Sequence, residues 1–244
     1  DLSNKSNQPF FKKNSNDFFI YNGEFYNFKD YCSRNINSDS LTLFENIQSD
    51  GVEFYNKVNG MWASVHSDIK NKKFYLSRDR YGKKQLYYFL EKDKFIVSSE
   101  IKSIFHILKI KRQINLNSLS FFFSTKLSPF RNNGETFYKN IYSIKPGEIA
   151  CFDLNLNKLK HHSKIKHISQ NLIKDFKNYT EIENGFKKDF ESSVNLRLQS
   201  DRKVGVLLSG GVDSSLITSF IKKTDLSNYN FYTTFNSDSN SNLD

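Results

Sequence analysis

Residues Lys203–Ser215 read KVGVLLSGGVDSS. An apolar run halts at Gly210-Gly211, and Asp213, Ser214 and Ser215 open the stretch SSLITSFIKK that follows. The run predicts a short buried strand. The following stretch predicts a helix that shows Leu216, Ile217, Phe220 and Ile221 to a sheet. Upstream, Ile182, Phe186, Phe190 and Val194 recur every four residues, which predicts an amphipathic helix ending near Arg197. Helix, strand, glycine loop and helix are the opening of a parallel α/β domain, with NFYTTF (residues 230–235) as its next strand. Two strands cannot bury both faces of a parallel sheet, so this domain is expected to be incomplete within the 244 residues.

The loop itself predicts an anion site. Backbone N–H groups from Ser209 to Val212 can form a nest, the helix adds its positive end, and glycines let the main chain approach phosphate oxygens. G-x-x-x-x-G-K-[ST] is absent, so the loop is not of the Walker type. A lysine-free cradle suits a leaving pyrophosphate, and Asp213 is placed to help bind Mg²⁺.

Composition narrows the alternatives. The net charge is +10 and the pI about 9.3, but lysines occur in scattered pairs rather than runs, which reads as a solvated surface and not as a nucleic-acid site. Cys32 and Cys151 are the only cysteines, giving neither a disulfide framework nor a zinc pattern. No apolar run approaches the length of a spanning helix, so no membrane partner and a cytoplasmic location are expected.

The first half alternates as a β protein does. DFFIYNGEFYNF places Asn22-Gly23 between two aromatic stretches, and Asn-Gly alone would predict a hairpin turn. GMWASVHSDIKNKKFYLSRDR predicts two strands joined by a polar turn, and KQLYYFLEKDKFIVSSE predicts two more around EKDK. SEIKSIFHIL changes to helical spacing, with Ile101, Ile104, Phe105 and Leu108 on one face. SIKPGEIACFD predicts a strand pair turning at Pro146-Gly147. From about Leu156 to Tyr179 the pattern is lost, which predicts a linker, and His161, His162 and His167 read as exposed linker histidines. Arg78, Asp79 and Arg80 read as a structural cluster, Cys32 as part of a helical stretch and Cys151 as a strand residue.

RLQSDRKVGVLLSGGVDSSLI resembles the pyrophosphatase loop of the asparagine synthetase family. YNGEFYNF, GMWASVHSD, LSRDRYGKKQLYY and SSEIKS resemble, in order, the segments of class II glutamine amidotransferase domains. The resemblance covers nearly all of residues 1–160 and continues into the loop.

It implies an N-terminal-nucleophile αββα sandwich over residues 1–160, a linker at 161–180, and the beginning of a parallel-sheet nucleotide domain over 181–244. It also implies an oxyanion hole from Asn22 and Gly23 and a glutamine pocket of Asn22, Gly23, Glu24 and Asp39. Asp39 taken singly could instead cap a helix. An ATP site of Leu207, Leu208, Ser209, Gly210, Gly211, Val212, Asp213, Ser214, Ser215 and Phe235 is implied, with Mg²⁺ at Asp213.

The implied reaction is glutamine hydrolysis supplying ammonia to aspartate activated by ATP as β-aspartyl-AMP. The implied partners are glutamine, aspartate and ATP, with a homodimer left open. Two alternatives stay open: a related amidotransferase acting on another carboxylate, such as a cell-surface sugar acid, and an RNA-modifying ATP pyrophosphatase. The sequence departs from the family at Gln85, where proline is usual, and at Arg202-Lys203. Neither the N-terminal nucleophilic cysteine nor the glutamine-gripping arginine is present, so the chain by itself is expected to lack glutaminase activity.

Overall fold

The computed structural model describes residues 6–33, 38–91, 94–129, 134–166, 178–200, 202–221 and 227–234. It divides into two compact units, Asp1–Leu172 and Ile173–Asp244.

The first unit contains nine strands and three α-helices among its described residues. In chain order they are β1 (Phe10–Phe11), β2 (Phe18–Phe25), α1 (Asp39–Asp50), β3 (Gly60–Asp68), β4 (Lys73–Arg78), β5 (Tyr87–Glu91), β6 (Lys94–Ser98), α2 (Ile101–Leu108), α3 (Leu116–Thr125), β7 (Ile141–Ser143), β8 (Glu148–Asp153) and β9 (Lys158–Lys164). They build a six-stranded sheet ordered β1-β2-β3-β4-β8-β9 and a three-stranded sheet ordered β6-β5-β7, antiparallel throughout.

Strand alternation sorts the side chains into three apolar interfaces. Phe19, Tyr21, Phe25, Trp62 and Ile149 leave one face of the larger sheet and meet Leu43, Phe44 and Ile47 of α1. From its other face Ala63, Leu76, Ala150 and Phe152 meet Tyr88, Phe95 and Val97 of the smaller sheet. The Phe95 and Phe152 rings stack at 3.8 Å. The outer face of the smaller sheet, Phe89 and Ile141, packs on Ile104 and Phe105 of α2. The result is a four-layer αββα sandwich.

Both hairpins read from the sequence form: β3 pairs with β4, and β5 with β6. The expected pair around Pro146-Gly147 does not. There β7 ends in the smaller sheet and β8 begins in the larger one, so this turn crosses between layers. The chain also crosses between β4 and β5, and both crossings converge on Arg78-Asp79.

Asp79 is fully buried and accepts hydrogen bonds from the backbone N–H groups of Trp62 (3.3 Å), Tyr81 (3.0 Å), Lys83 (3.0 Å) and Lys84 (2.9 Å). Its own carbonyl accepts from Gly147 N–H at 2.8 Å. Arg78, 4% exposed, donates to the carbonyls of Gly82, Lys84 and Ile144, to Ser143 Oγ and to Gln85 Oε1. Gln85, the departure from the family pattern, therefore supplies one acceptor of this clamp.

Two further readings are corrected. Residues 158–164, expected to be linker, form the edge strand β9, and Ile165 is buried beyond it. His161 and His162 therefore lie on a strand. His161 Nδ1 sits 3.2 Å from Glu148 Oε1, and the His162 ring packs edge-on against Tyr75, while His167 lies outside the described residues. Cys32 follows a short 3₁₀ turn (Phe28–Asp30) rather than lying in a helix.

The second unit contains α4 (Tyr179–Arg197), β10 (Val204–Leu207), α5 (Val212–Ser219) and β11 (Tyr229–Tyr232). The strands pair in parallel, Val204 opposite Tyr229 through Leu207 opposite Tyr232. Asn178 caps α4 by accepting from Glu181 N–H at 2.9 Å. Of the four residues expected to face the sheet from α5, Ile221 is buried and Phe220 packs on Phe190 of α4, whereas Leu216 and Ile217 are exposed.

Replacing Arg78 with Leu strands several buried acceptors, and urea unfolding should show a loss of about 3 kcal/mol. His66 generates a pH dependence. Burial holds its imidazole below the ordinary value, against the opposing pull of the Asp17 and Asp68 carboxylates, and its Nδ1 is buried without a partner. The unfolded chain therefore takes up this proton first as pH falls. Its contribution is complete above the ordinary histidine value of about 6.5 and is lost progressively below it. Unfolding of His66→Gln measured across that range should show a shallower acid slope than the parent.

Candidate functional site

Asn22 and Gly23 lie inside the continuous strand β2, not in a turn. Asn22 pairs with Ala63 and Gly23 with Trp62 across to β3. On the opposite side β1 covers β2 only at Phe18 and Phe19. Beyond that point the edge is held by side chains: Gln8 Oε1 accepts from Tyr21 N–H at 2.5 Å, and Asp39 Oδ2 accepts from Phe25 N–H at 3.1 Å. N–H direction alternates along a strand, so Gly23 N–H faces the same way as those of Tyr21 and Phe25. Among the described residues nothing accepts from it, and it points to the edge between two occupied positions.

Gly23 is required here on packing grounds. A Cβ at this position would stand 2.2 Å from the Met61 carbonyl oxygen and 2.8 Å from Trp62 Cα. Asn22 and Glu24 are exposed, and the side-chain amide of Asn22 makes no hydrogen bond among the described residues.

Asp39 reaches this edge from α1. The helix cap is Ser38, whose Oγ accepts from Leu41 N–H at 3.4 Å, so Asp39 is the first helical residue and not the cap. Its Oδ1 accepts from Ser40 N–H at 2.6 Å while Oδ2 holds Phe25. The half-buried carboxylate therefore stands at the end of β2, two residues from Gly23, and Asn22, Gly23, Glu24 and Asp39 share one end of one strand. Behind them Tyr21 is buried with its hydroxyl unpartnered. Burial, then the charges of Asp39 and Glu24, push its pKa well above the ordinary value. The Asp39 carboxylate at the end of β2 suits a cationic group beside it.

The cysteines have other surroundings. Burial raises the Cys151 thiol, and Tyr75 neighbours it on β4, opposite to what a thiolate nucleophile requires. Cys32 Sγ donates to the Lys29 carbonyl at 3.5 Å.

In the second unit, residues Leu208–Gly211 join β10 to α5. Gly210 takes φ +77°, the left-handed region in which glycine costs least. No side chain caps α5, so the N–H groups of Val212, Asp213 and Ser214 have no intrahelical partner. Ser209 N–H instead donates to Ser214 Oγ at 3.3 Å, and the two serine hydroxyls lie 3.1 Å apart. The loop thus turns its hydroxyls and first-turn amides onto one small volume.

Asp213 is exposed in the first turn, and Leu207 and Val212 are exposed on either side of the loop. Ser215 N–H is taken by Gly211 O at 3.1 Å, and Leu208 N–H by Tyr232 O at 2.7 Å. Phe235 lies outside the described residues. Among the described residues no group of three or more His, Cys, Asp or Glu could hold a metal.

The first unit is an antiparallel αββα sandwich with a glycine at the edge of β2, and the second is a parallel unit whose glycine loop leads into an uncapped helix. The chain belongs to the asparagine synthetase family of glutamine amidotransferases: residues 1–163 match the glutamine amidotransferase domain and residues 185–241 the asparagine synthase domain.

Among curated relatives, it is 32% identical to putative asparagine synthetase [glutamine-hydrolyzing] 2 of Methanocaldococcus jannaschii, over 85% of this chain and 41% of that protein. It is 30% identical to asparagine synthetase [glutamine-hydrolyzing] 2 of Bacillus subtilis, over 93% and 32%. It is 28% identical to amidase chry2 of Gibberella zeae, over 91% and 33%. The chain therefore spans about two-fifths or less of the length of these relatives. A solved glutamine phosphoribosylpyrophosphate amidotransferase from B. subtilis matches at TM-score 0.44 and 13% identity, over 93% of this chain and 48% of that one.

The Gly23 packing yields a stability test. In Gly23→Ala the new methyl must force β2 and β3 apart, and thermal unfolding should show a loss of about 1–3 kcal/mol. A melting profile equal to the parent would mean that the two strands tolerate a side chain there.

Proposed function

We propose that this chain carries the glutamine site and the nucleotide loop of a glutamine-dependent asparagine synthetase. The whole protein would release ammonia from glutamine and deliver it to aspartate activated by ATP, giving asparagine, AMP and pyrophosphate. The observation that carries the reading is the hydrogen bond from Phe25 N–H to Asp39 Oδ2, which stations a carboxylate beside the open Gly23 N–H.

In this reading the α-ammonium of glutamine lies against Asp39, and Glu24 lines the pocket. The Asn22 amide and Gly23 N–H receive the oxygen of the side-chain amide, where negative charge develops during attack. The backbone that carries both donors is held by β2–β3 pairing, so the Gly23 N–H is oriented before substrate arrives.

The loop Ser209–Ser215 would hold the phosphates of ATP through the first-turn amides and the Ser209 and Ser214 hydroxyls. Mg²⁺ entering with the nucleotide would meet the carboxylate of Asp213 and would neutralise phosphate charge. The backbone at Leu207 and Leu208 would lie beside the nucleotide, with Phe235 as a further contact. The amidase names among the relatives support a second reading, in which the same two sites serve an acceptor carboxylate other than aspartate.

Calorimetric titration with L-glutamine tests the first site. The parent chain should bind, and Asp39→Ala should bind at least about tenfold more weakly, the loss of one charged contact. Asn22→Ala, at an exposed position, should unfold within about 0.5 kcal/mol of the parent. Placed in a protein that turns over glutamine, it should slow the reaction by about 10²–10³. Equal glutamine affinity in parent and Asp39→Ala would overturn the assignment.

A further inference from the structure

Residues 101–126 carry Lys102, Lys109, Lys111, Arg112 and Lys126 and no Asp or Glu. The same stretch holds an open groove of about 630 Å³ beside α2 and the chain leaving it. Its apolar lining is Phe105, Ile107 and Ile110, its polar lining Ser103 and His106, and its cations are Lys102 and Arg112. Ile107 is 60% exposed and Ile110 45%, although Ile104 and Phe105 of the same helix are buried against the smaller sheet.

Outside the packed face of α2, Ile107 on the helix and Ile110 just beyond it stay exposed among the described residues. The local backbone is well defined: Lys109 takes φ +53° and closes α2 by donating to Phe105 O at 2.9 Å. The Arg112 guanidinium lies 5.6 Å from the centre of the Phe105 ring, which holds a cation at the groove. Lys102 pairs with Glu100 at 2.6 Å, but no carboxylate pairs with Lys109, Lys111 or Arg112 among the described residues.

We propose that this groove is a docking site for an amphipathic helix of a partner protein surface, apolar on its inner stripe and acidic along its flanks. The chemistry is complementary at both levels. Leu- or Phe-sized side chains would cover Ile107 and Ile110, and carboxylates would meet Arg112 in the lining and the exposed Lys109 and Lys111 on either side of Ile110 in the chain.

The shape argues against a lipid surface, because the apolar residues line a concavity, whereas an interfacial anchor presents a protruding apolar face. The exposed isoleucines argue against nucleic acid, whose backbone would leave them in contact with phosphate. A second copy of this chain, itself at net +10, is disfavoured by charge. This inference is independent of the glutamine and nucleotide sites.

The test uses fluorescence anisotropy with three labelled helical peptides of equal length. One has a leucine stripe and glutamates elsewhere, one has the same stripe with lysines, and one has serines in place of the leucines. The acidic peptide should bind, more weakly as salt is raised, and the other two should bind at least about tenfold more weakly. Ile107→Ser with Ile110→Ser should abolish most of that binding. Lys109→Glu with Lys111→Glu and Arg112→Glu should shift preference to the basic peptide.

All these positions are exposed, and circular dichroism of each variant should match the parent. Equal binding of acidic and basic peptides, or binding unchanged by the isoleucine variant, overturns the proposal. So does capture by phosphatidylglycerol vesicles in place of the acidic peptide. Concentration-dependent dimerisation that the isoleucine variant removes would assign the groove to a second copy and equally overturn it.

Discussion

The buried dipeptide Arg78-Asp79 is the constraint on which the sandwich depends. An antiparallel chain that fills two sheets must pass from one to the other, and each passage leaves backbone groups in the interior that no ladder can satisfy. Here both passages, 79–86 and 144–147, are tied to the same two side chains and to the Asp79 carbonyl. Burying the two charges is unfavourable in itself. The cost is offset because each charge is spread over several hydrogen bonds, five from Arg78 and four to the Asp79 carboxylate. The arrangement fixes the relation of the layers, and with it the strand β3 from which β2 takes its register.

The candidate site inherits that rigidity. Between Tyr21 and Phe25 the outer edge of β2 is closed by the side chains of Gln8 and Asp39, which leave Gly23 N–H between them. An open edge inside a sheet is usually a liability. Here it is short, flanked by bonded neighbours and set beside a carboxylate that its own helix end helps to orient. The same economy appears in the second unit, where the glycines of the loop and the uncapped first turn of α5 leave amides available at one place.

Much of this could be read from residues alone, and the failures have physical causes. The β3–β4 and β5–β6 hairpins were legible because each turn is polar, short and flanked by alternating strands. The α2 face was legible because Ile101, Ile104, Phe105 and Leu108 follow helical spacing. The Pro146-Gly147 turn misleads because sequence adjacency favours a hairpin, whereas the Arg78-Asp79 clamp directs the two strands into different sheets. Strand β9, KLKHHSK, carries no apolar pattern because it is an edge strand whose lysines and histidines face water.

At Asn22-Gly23 local turn propensity loses to the length of the aromatic strand on both sides. The roles of Gln8 and Ser38 had no signal of their own, since each acts through a backbone group that only the folded chain brings near. The αββα layering was expected only through family resemblance, because no local pattern tells which strands share a sheet.

Residue-resolved amide hydrogen exchange tests the central claim most directly. Gly23 N–H should exchange faster than the ladder amides of Asn22 and Glu24 beside it in β2, and saturating L-glutamine should slow Gly23 selectively. A Gly23 amide as protected as its neighbours before glutamine is added, or one whose exchange glutamine leaves unchanged, would contradict the account.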